Sequence, residues 1–247
     1  MDKISSRPYI VVLALYALFE ISVLAYAKYG LGATYGSKEF IHAIFVPHAI
    51  MAVVLIAYSY FSRDGYQLPN PSQPLGWKLI LISLVPTVIV GGYVIISQAS
   101  ATKAFIVPFM AMLAVGISEE LTFRKIVITS LLKDVSPAHT ILVSAVIFSA
   151  LHAFNLIAGQ TLKSTFTQLL MTFLAGLVYG VFYMYTKNIT VMILLHWWWD
   201  YILISGAIKP ESPWSMLVSA MPLIELIAMG IILYKYKELR TTEYLTK

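Results

Sequence analysis

Cysteine is absent from the 247 residues, and charge is scarce, with Asp, Glu, Lys and Arg making up 12% of the chain. The first absence removes disulfides, thiolate nucleophiles and cysteine-ligated zinc or iron–sulfur centres together, and leaves the redox compartment unreadable. The second separates the chain from soluble domains, in which about a quarter of residues are charged. A hydrophobic content of 59% and a mean hydropathy of +0.79 point to lipid as the main solvent. A basic stripe is missing too: the formal charge is +5, but Lys and Arg are scattered over short connections and the two ends, which argues against a nucleic-acid partner. No internal repeat or low-complexity tract divides the chain, so a single integral membrane domain, residues 1 to 247, is expected.

A bilayer core about 30 Å thick takes about 20 apolar residues per helix. Such runs recur near 8 to 27, 40 to 62, 77 to 97, 104 to 132, 137 to 156, 165 to 187, 189 to 206 and 214 to 236. The expected fold is therefore all-α, a polytopic protein of about eight transmembrane helices. Lys3 and Arg7 precede the first run, and Ala25-Tyr26-Ala27 weakly resembles a signal-peptidase site. The length of that run, Glu20 within it and the spans that follow favour an uncleaved first helix.

With the N-terminus inside, the inner segments hold Lys3, Arg7, Arg63, Lys78, Lys133, Lys187, Lys235, Lys237, Arg240 and Lys247, ten in all. The outer segments hold five, Lys28, Lys38, Lys103, Lys163 and Lys209, while Arg124 and Lys125 sit within a span. Because cytoplasmic loops collect Lys and Arg, both termini are expected on the cytoplasmic side of a plasma membrane. The longest polar stretch, Ser62 to Pro74, carries Asp64-Gly65 and three prolines and reads as turns. Prolines 47, 86, 108 and 222 lie within or beside spans and read as kinks. Gly176 and Gly180, four residues apart, would let two helix backbones approach closely.

Ionisable residues inside apolar spans are the informative feature, since insertion scales charge about 2.5 to 3.5 kcal/mol for each Arg, Lys or Asp at mid-helix. Glu119, Glu120, Arg124 and Asp200 stand there. Glu120 and Arg124 are four apart and can pair on one helix face, whereas Glu119, about 100° round the helix, can point elsewhere. His152 shares a face with Phe148, with Asn155 just beyond, and His196 and Asp200 are again four apart. Each has a blander reading. A lone His is more often a hydrogen-bonded packing residue, and Trp197, Trp198 and Trp199 would suit an aromatic belt at the membrane interface. His42, His48 and His139 stand in no such constellation, and Glu20 and Glu225 are isolated acids; none is given a catalytic role.

Peptide hydrolysis requires a water made nucleophilic, a donor for the oxyanion and an acid for the leaving amine. A carboxylate with two imidazoles suits water activation, and no competing nucleophile stands out: there is no Cys and no G-x-S-x-G.

Glu119-Glu120-x-x-x-Arg124, Phe148-x-x-x-His152 and His196-x-x-x-Asp200 resemble, in order, the three motifs of the CAAX prenyl protease type II family, also called the CAAX protease and bacteriocin-processing family. The motif-bearing core runs from about residue 104 to 206 and includes Gly176-Leu177 and Asn188-Ile189, also typical of such sequences. The resemblance implies an all-helical intramembrane endopeptidase with a conical cavity. Its substrate would be a protein or peptide, prenylated near its C-terminus or a bacteriocin or pheromone precursor. Carried onto this sequence, Glu119 would activate water with help from His152. His196 and position 200 would polarise the scissile carbonyl, and Glu120 with Arg124 would hold the motif helix. Position 200 is Asp where many members have Asn: Asp200 can donate to an oxyanion only if it is protonated, and as an ionised carboxylate it would instead orient His196 or bind a cation.

No cofactor is the favoured expectation. The alternative is a zinc-dependent protease with Glu119, His152, His196 and Asp200 as ligands, although H-E-x-x-H is missing. Two other classes stay open, a proton-coupled transporter or channel built on the same buried acids and histidines, and a silent scaffold or bacteriocin-immunity protein.

Overall fold

The computed structural model describes residues 8–62, 65, 68 and 78–241. Lys3, Arg7, Arg63, Lys247 and most of the stretch from Ser62 to Pro74 lie outside the described residues. Eight main helices follow in order, and no strand occurs among the described residues. They are α1 (Pro8–Ala25, continued by a π-helical turn Tyr26–Gly30), α2 (Lys38–Phe61), α3 (Leu81–Gln98) and α4 (Lys103–Glu120). Helix α4 runs on through a π-helical segment, Leu121–Ile128, into Thr129–Leu131. Then come α5 (Pro137–Leu151, with a 3-10 tail His152–Leu156), α6 (Leu162–Thr186), α7 (Ile189–Ile204) and α8 (Pro213–Lys235).

Seven of these are long and apolar enough to cross a membrane, while α7 has only 16 residues. The chain is a multi-pass membrane protein, and the expected eight spans resolve into seven full ones and one short one. Prolines 47, 86, 108 and 222 all fall inside helices.

Local chemistry fixes the helix starts. The side chains of Ser37, Thr161, Asn188 and Ser212 accept hydrogen bonds from backbone N–H groups of the first turns of α2, α6, α7 and α8. Lys187, in the left-handed region at φ 55°, ends α6 and sends the chain back into α7. Short connections thus alternate helix direction and create two faces. On the face called upper here, the Tyr35 amide donates to the Ala158 carbonyl (2.9 Å) and Gln98 Nε2 to the Ser205 carbonyl (3.1 Å). On the lower face, Lys133 Nζ donates to the Gly65 carbonyl (2.9 Å).

Gly176 and Gly180 do bring two helices together. A Cβ on Gly176 would lie 2.9 Å from both Cα and Cβ of Ala145 on α5, and one on Gly180 would lie 3.2 Å from Ile141 Cγ2. Gly176→Ala is expected to cost about 1 to 3 kcal/mol of overpacking, because the obstacle is backbone and cannot swing aside. Thermal unfolding in detergent checks this, with Gly230→Ala as the control that should leave the midpoint unchanged, since nothing lies within 4 Å of a Cβ there.

Candidate active site

Three helices deliver the site. Glu119 and Glu120 are the last two residues of α4, at the point where its backbone widens into the π-helical segment that carries Arg124. His152 ends α5, and His196 and Asp200 lie one turn apart on α7. π-Helical turns inside α-helices are uncommon and concentrate at functional sites.

His196 is the hub. Its Nδ1 lies 2.8 Å from Glu120 Oε1, and its Nε2 lies 3.4 Å from Glu119 Oε2 and 3.3 Å from Asp200 Oδ2. An ionised carboxylate only accepts hydrogen bonds, so the contact with Glu120 places a proton on Nδ1 and leaves Nε2 as the atom facing the other two acids. Glu120 Oε2 is in turn 3.2 Å from Arg124 Nε, both side chains being fully enclosed. The guanidinium is held by ring faces more than by hydrogen bonds: its Cζ sits 4.4 Å from the Phe148 centroid and 5.7 Å from that of Tyr179.

His152 donates from Nδ1 to the Phe148 carbonyl (2.9 Å), an orientation that keeps its Nε2 free to accept. It lies within electrostatic reach of Glu119, and no direct ion pair joins the two among the described residues. The Phe148 ring packs against both imidazoles, with centroids 4.9 Å from His152 and 6.1 Å from His196.

All six expected site residues therefore gather in one region, with one relation that helical spacing did not foretell. Glu120 pairs with Arg124, as the spacing predicts, and it also fixes His196, 76 residues away. Tyr179, between His196 and Arg124, was missed altogether; its only signal was proximity to Gly176 and Gly180. Glu20 is not isolated, because its Oε1 lies 3.1 Å from Nε2 of His48. The tryptophans do not form a simple interfacial belt. Trp197 donates to the Phe109 carbonyl (2.8 Å), and Trp198 packs over Gly91 of α3, where a Cβ would come within 2.9 Å of the indole.

A polar chain begins three residues beyond His152. Asn155 Nδ2 donates to Gln168 Oε1 (2.9 Å), and Gln168 Nε2 donates to the Tyr35 hydroxyl (2.8 Å) in the connection between α1 and α2. Burial pushes the Tyr35 phenol up to about 12, so it stays protonated.

Among the described residues no group of three or more His, Asp or Glu side chains is arranged to hold a metal ion. Glu119 and Asp200 converge on the imidazole nitrogen itself.

Seven membrane-length helices, with acids gathered about His196 between them, define a polytopic membrane protein with a polar cluster inside its bundle. Residues 101–202 match the family model described as type II CAAX prenyl endopeptidase Rce1-like, which bears out the resemblance carried by the three motifs. The matched stretch nearly coincides with the motif-bearing core and covers under half of the chain. No curated protein matches the chain. The match supports an intramembrane endopeptidase acting on a protein or peptide.

Proposed function

We propose that the chain hydrolyses a peptide bond within the membrane with a water held between Glu119 and His152, without a metal. The observation that carries this reading is the convergence of Glu119, Glu120 and Asp200 on His196 within the helical bundle.

In this reading Glu119 takes a proton from the water as its oxygen attacks the scissile carbonyl carbon, and the accepting Nε2 of His152 steers that water. His196 acts in this reading as an imidazolium, its Nδ1–H held by Glu120 and its Nε2–H offered to the oxygen that gains negative charge. Asp200 accepts from the same imidazole and orients it, in keeping with a carboxylate that cannot itself donate. When the tetrahedral intermediate collapses, the C–N bond breaks and Glu119 returns its proton to the departing amine. Arg124 balances the charge on Glu120 from below. The substrate is a membrane-associated protein or peptide, either a prenylated CAAX chain or a bacteriocin or pheromone precursor.

The test is a comparison of membrane peptidomes from cells carrying wild-type protein and Glu119→Gln. Cleavage products that vanish in the variant support the reading and identify the substrate; identical peptidomes at equal expression overturn it. Activity of the purified protein is expected to survive stringent chelation. Stoichiometric zinc lost together with activity would replace the glutamate mechanism with a metal-dependent one.

A further inference from the structure

We infer that Tyr35, in the connection between α1 and α2, is a positioning residue for His152: it docks the turn that follows this histidine and so sets where the imidazole stands. The inference rests on the protease reading, in which His152 steers the attacking water. It adds a residue from outside the stretch that the family model matches.

The 3-10 tail of α5 makes the link short. Side chains three apart lie over one another in such a turn, so Asn155 shares a face with His152. Whatever holds the Asn155 amide therefore limits how that face can rotate. Asn155 is only 8% exposed, and its amide needs a partner, which Gln168 of α6 supplies at 2.9 Å. Gln168 is held in turn by the Tyr35 hydroxyl at 2.8 Å. This hydroxyl lies within electrostatic reach of Glu119 and Asp200, so the link is made beside the site.

Tyr35 grips the same turn a second time, through its backbone. Its N–H donates to the Ala158 carbonyl (2.9 Å), inside a loop that the Asn155 carbonyl closes by accepting from the N–H groups of Ala158 and Gln160, both at 3.1 Å. One residue thus brackets the segment from Asn155 to Ala158 by side chain and by main chain. The connection lies close around the turn: a Cβ on Gly159 would stand 2.9 Å from Lys28 Nζ and 3.4 Å from Thr34 Cγ2. Lys28 Nζ donates to Thr34 Oγ1 (2.9 Å), which ties the connection to itself.

His152 needs an outside support. The bond from its Nδ1 to the Phe148 carbonyl lies within its own helix, moves with the helix end, and cannot fix that end against α4 and α7. The α-helical ladder also stops at this residue, so it no longer dictates the path beyond.

The test is Tyr35→Phe in the intact chain, which removes the hydroxyl and keeps the ring that packs on Phe40 (centroids 5.1 Å apart). On a substrate identified through Glu119-dependent cleavage, kcat is expected to fall about 10- to 100-fold with KM unchanged, the scale of a misplacement of up to about 1 Å. In a His152→Ala background the same substitution should have no further effect, a pattern that general destabilisation does not produce. A second readout needs no substrate. Diethyl pyrocarbonate should modify His152 several-fold faster in Tyr35→Phe, read by peptide mapping, with the exposed His139 unchanged as the control. Gln168→Leu breaks both side-chain links and should reproduce both results. Unchanged modification of His152, an unchanged kcat, or a fall of equal size in both backgrounds overturns the inference while leaving the protease reading intact. Faster modification of His152 in a protein with no Glu119-dependent cleavage upholds the docking of the turn and overturns the protease reading.

Discussion

Replacing Glu119 by Gln is expected to lower turnover by about 10² to 10⁴-fold, the range associated with loss of a general base. The substitution is nearly isosteric, and the amide can still contact His196 Nε2, so the packing around a side chain only 14% exposed should survive. What disappears is the ability to take a proton from water. The measurement is kcat on a substrate identified by peptidomics, with thermal unfolding in detergent to show that the variant remains folded. A folded variant with more than half of the wild-type rate would remove Glu119 from the mechanism. Proton-coupled flux in liposomes that persisted in Glu119→Ala would redirect the site toward transport.

The second large effect falls on stability. Arg124→Met should cost about 3 to 5 kcal/mol, because it leaves the Glu120 carboxylate buried without its cation. In thermal terms that is a fall on the order of 10 °C. The double variant Glu120→Gln, Arg124→Met should recover most of the loss, since an amide carries no charge to compensate and its oxygen can still accept from His196 Nδ1. The cycle separates electrostatics from packing. If the double variant is as unstable as the single one, the stacking of the guanidinium on Phe148 and Tyr179 is the larger contribution.

Much of this site was legible in the amino-acid order, for a physical reason. Charges in apolar runs are costly, so they stand out, and the spacing of Glu120 from Arg124 and of His196 from Asp200 reports a shared helix face directly. The helices were legible for the same reason, because lipid demands long apolar segments. Relations between distant segments were not. The hydrogen bond from His196 to Glu120 depends on how α4 packs beside α7, and the pairing of Glu20 with His48 depends on α1 lying against α2. Neither leaves a local pattern. The π-helical segment from Leu121 was equally silent, since a widened turn has no compositional signature comparable to a cap or a proline. Tyr179 and Tyr35 read as ordinary aromatic residues until tertiary packing set one beneath the imidazole and the other at the end of a polar chain.

The brevity of α7 reaches beyond the protein. At 16 residues it extends only about 24 Å, less than the roughly 30 Å of hydrocarbon its neighbours cross. A bilayer that thins locally to match it would bring its two interfaces closer together beside the helix that bears His196 and Asp200. Interfacial water would then stand nearer those two groups, and a polypeptide lying along the surface would have less oil to traverse before it met them. On the proposed reading, so short a helix would make the surrounding membrane a working part of the reaction.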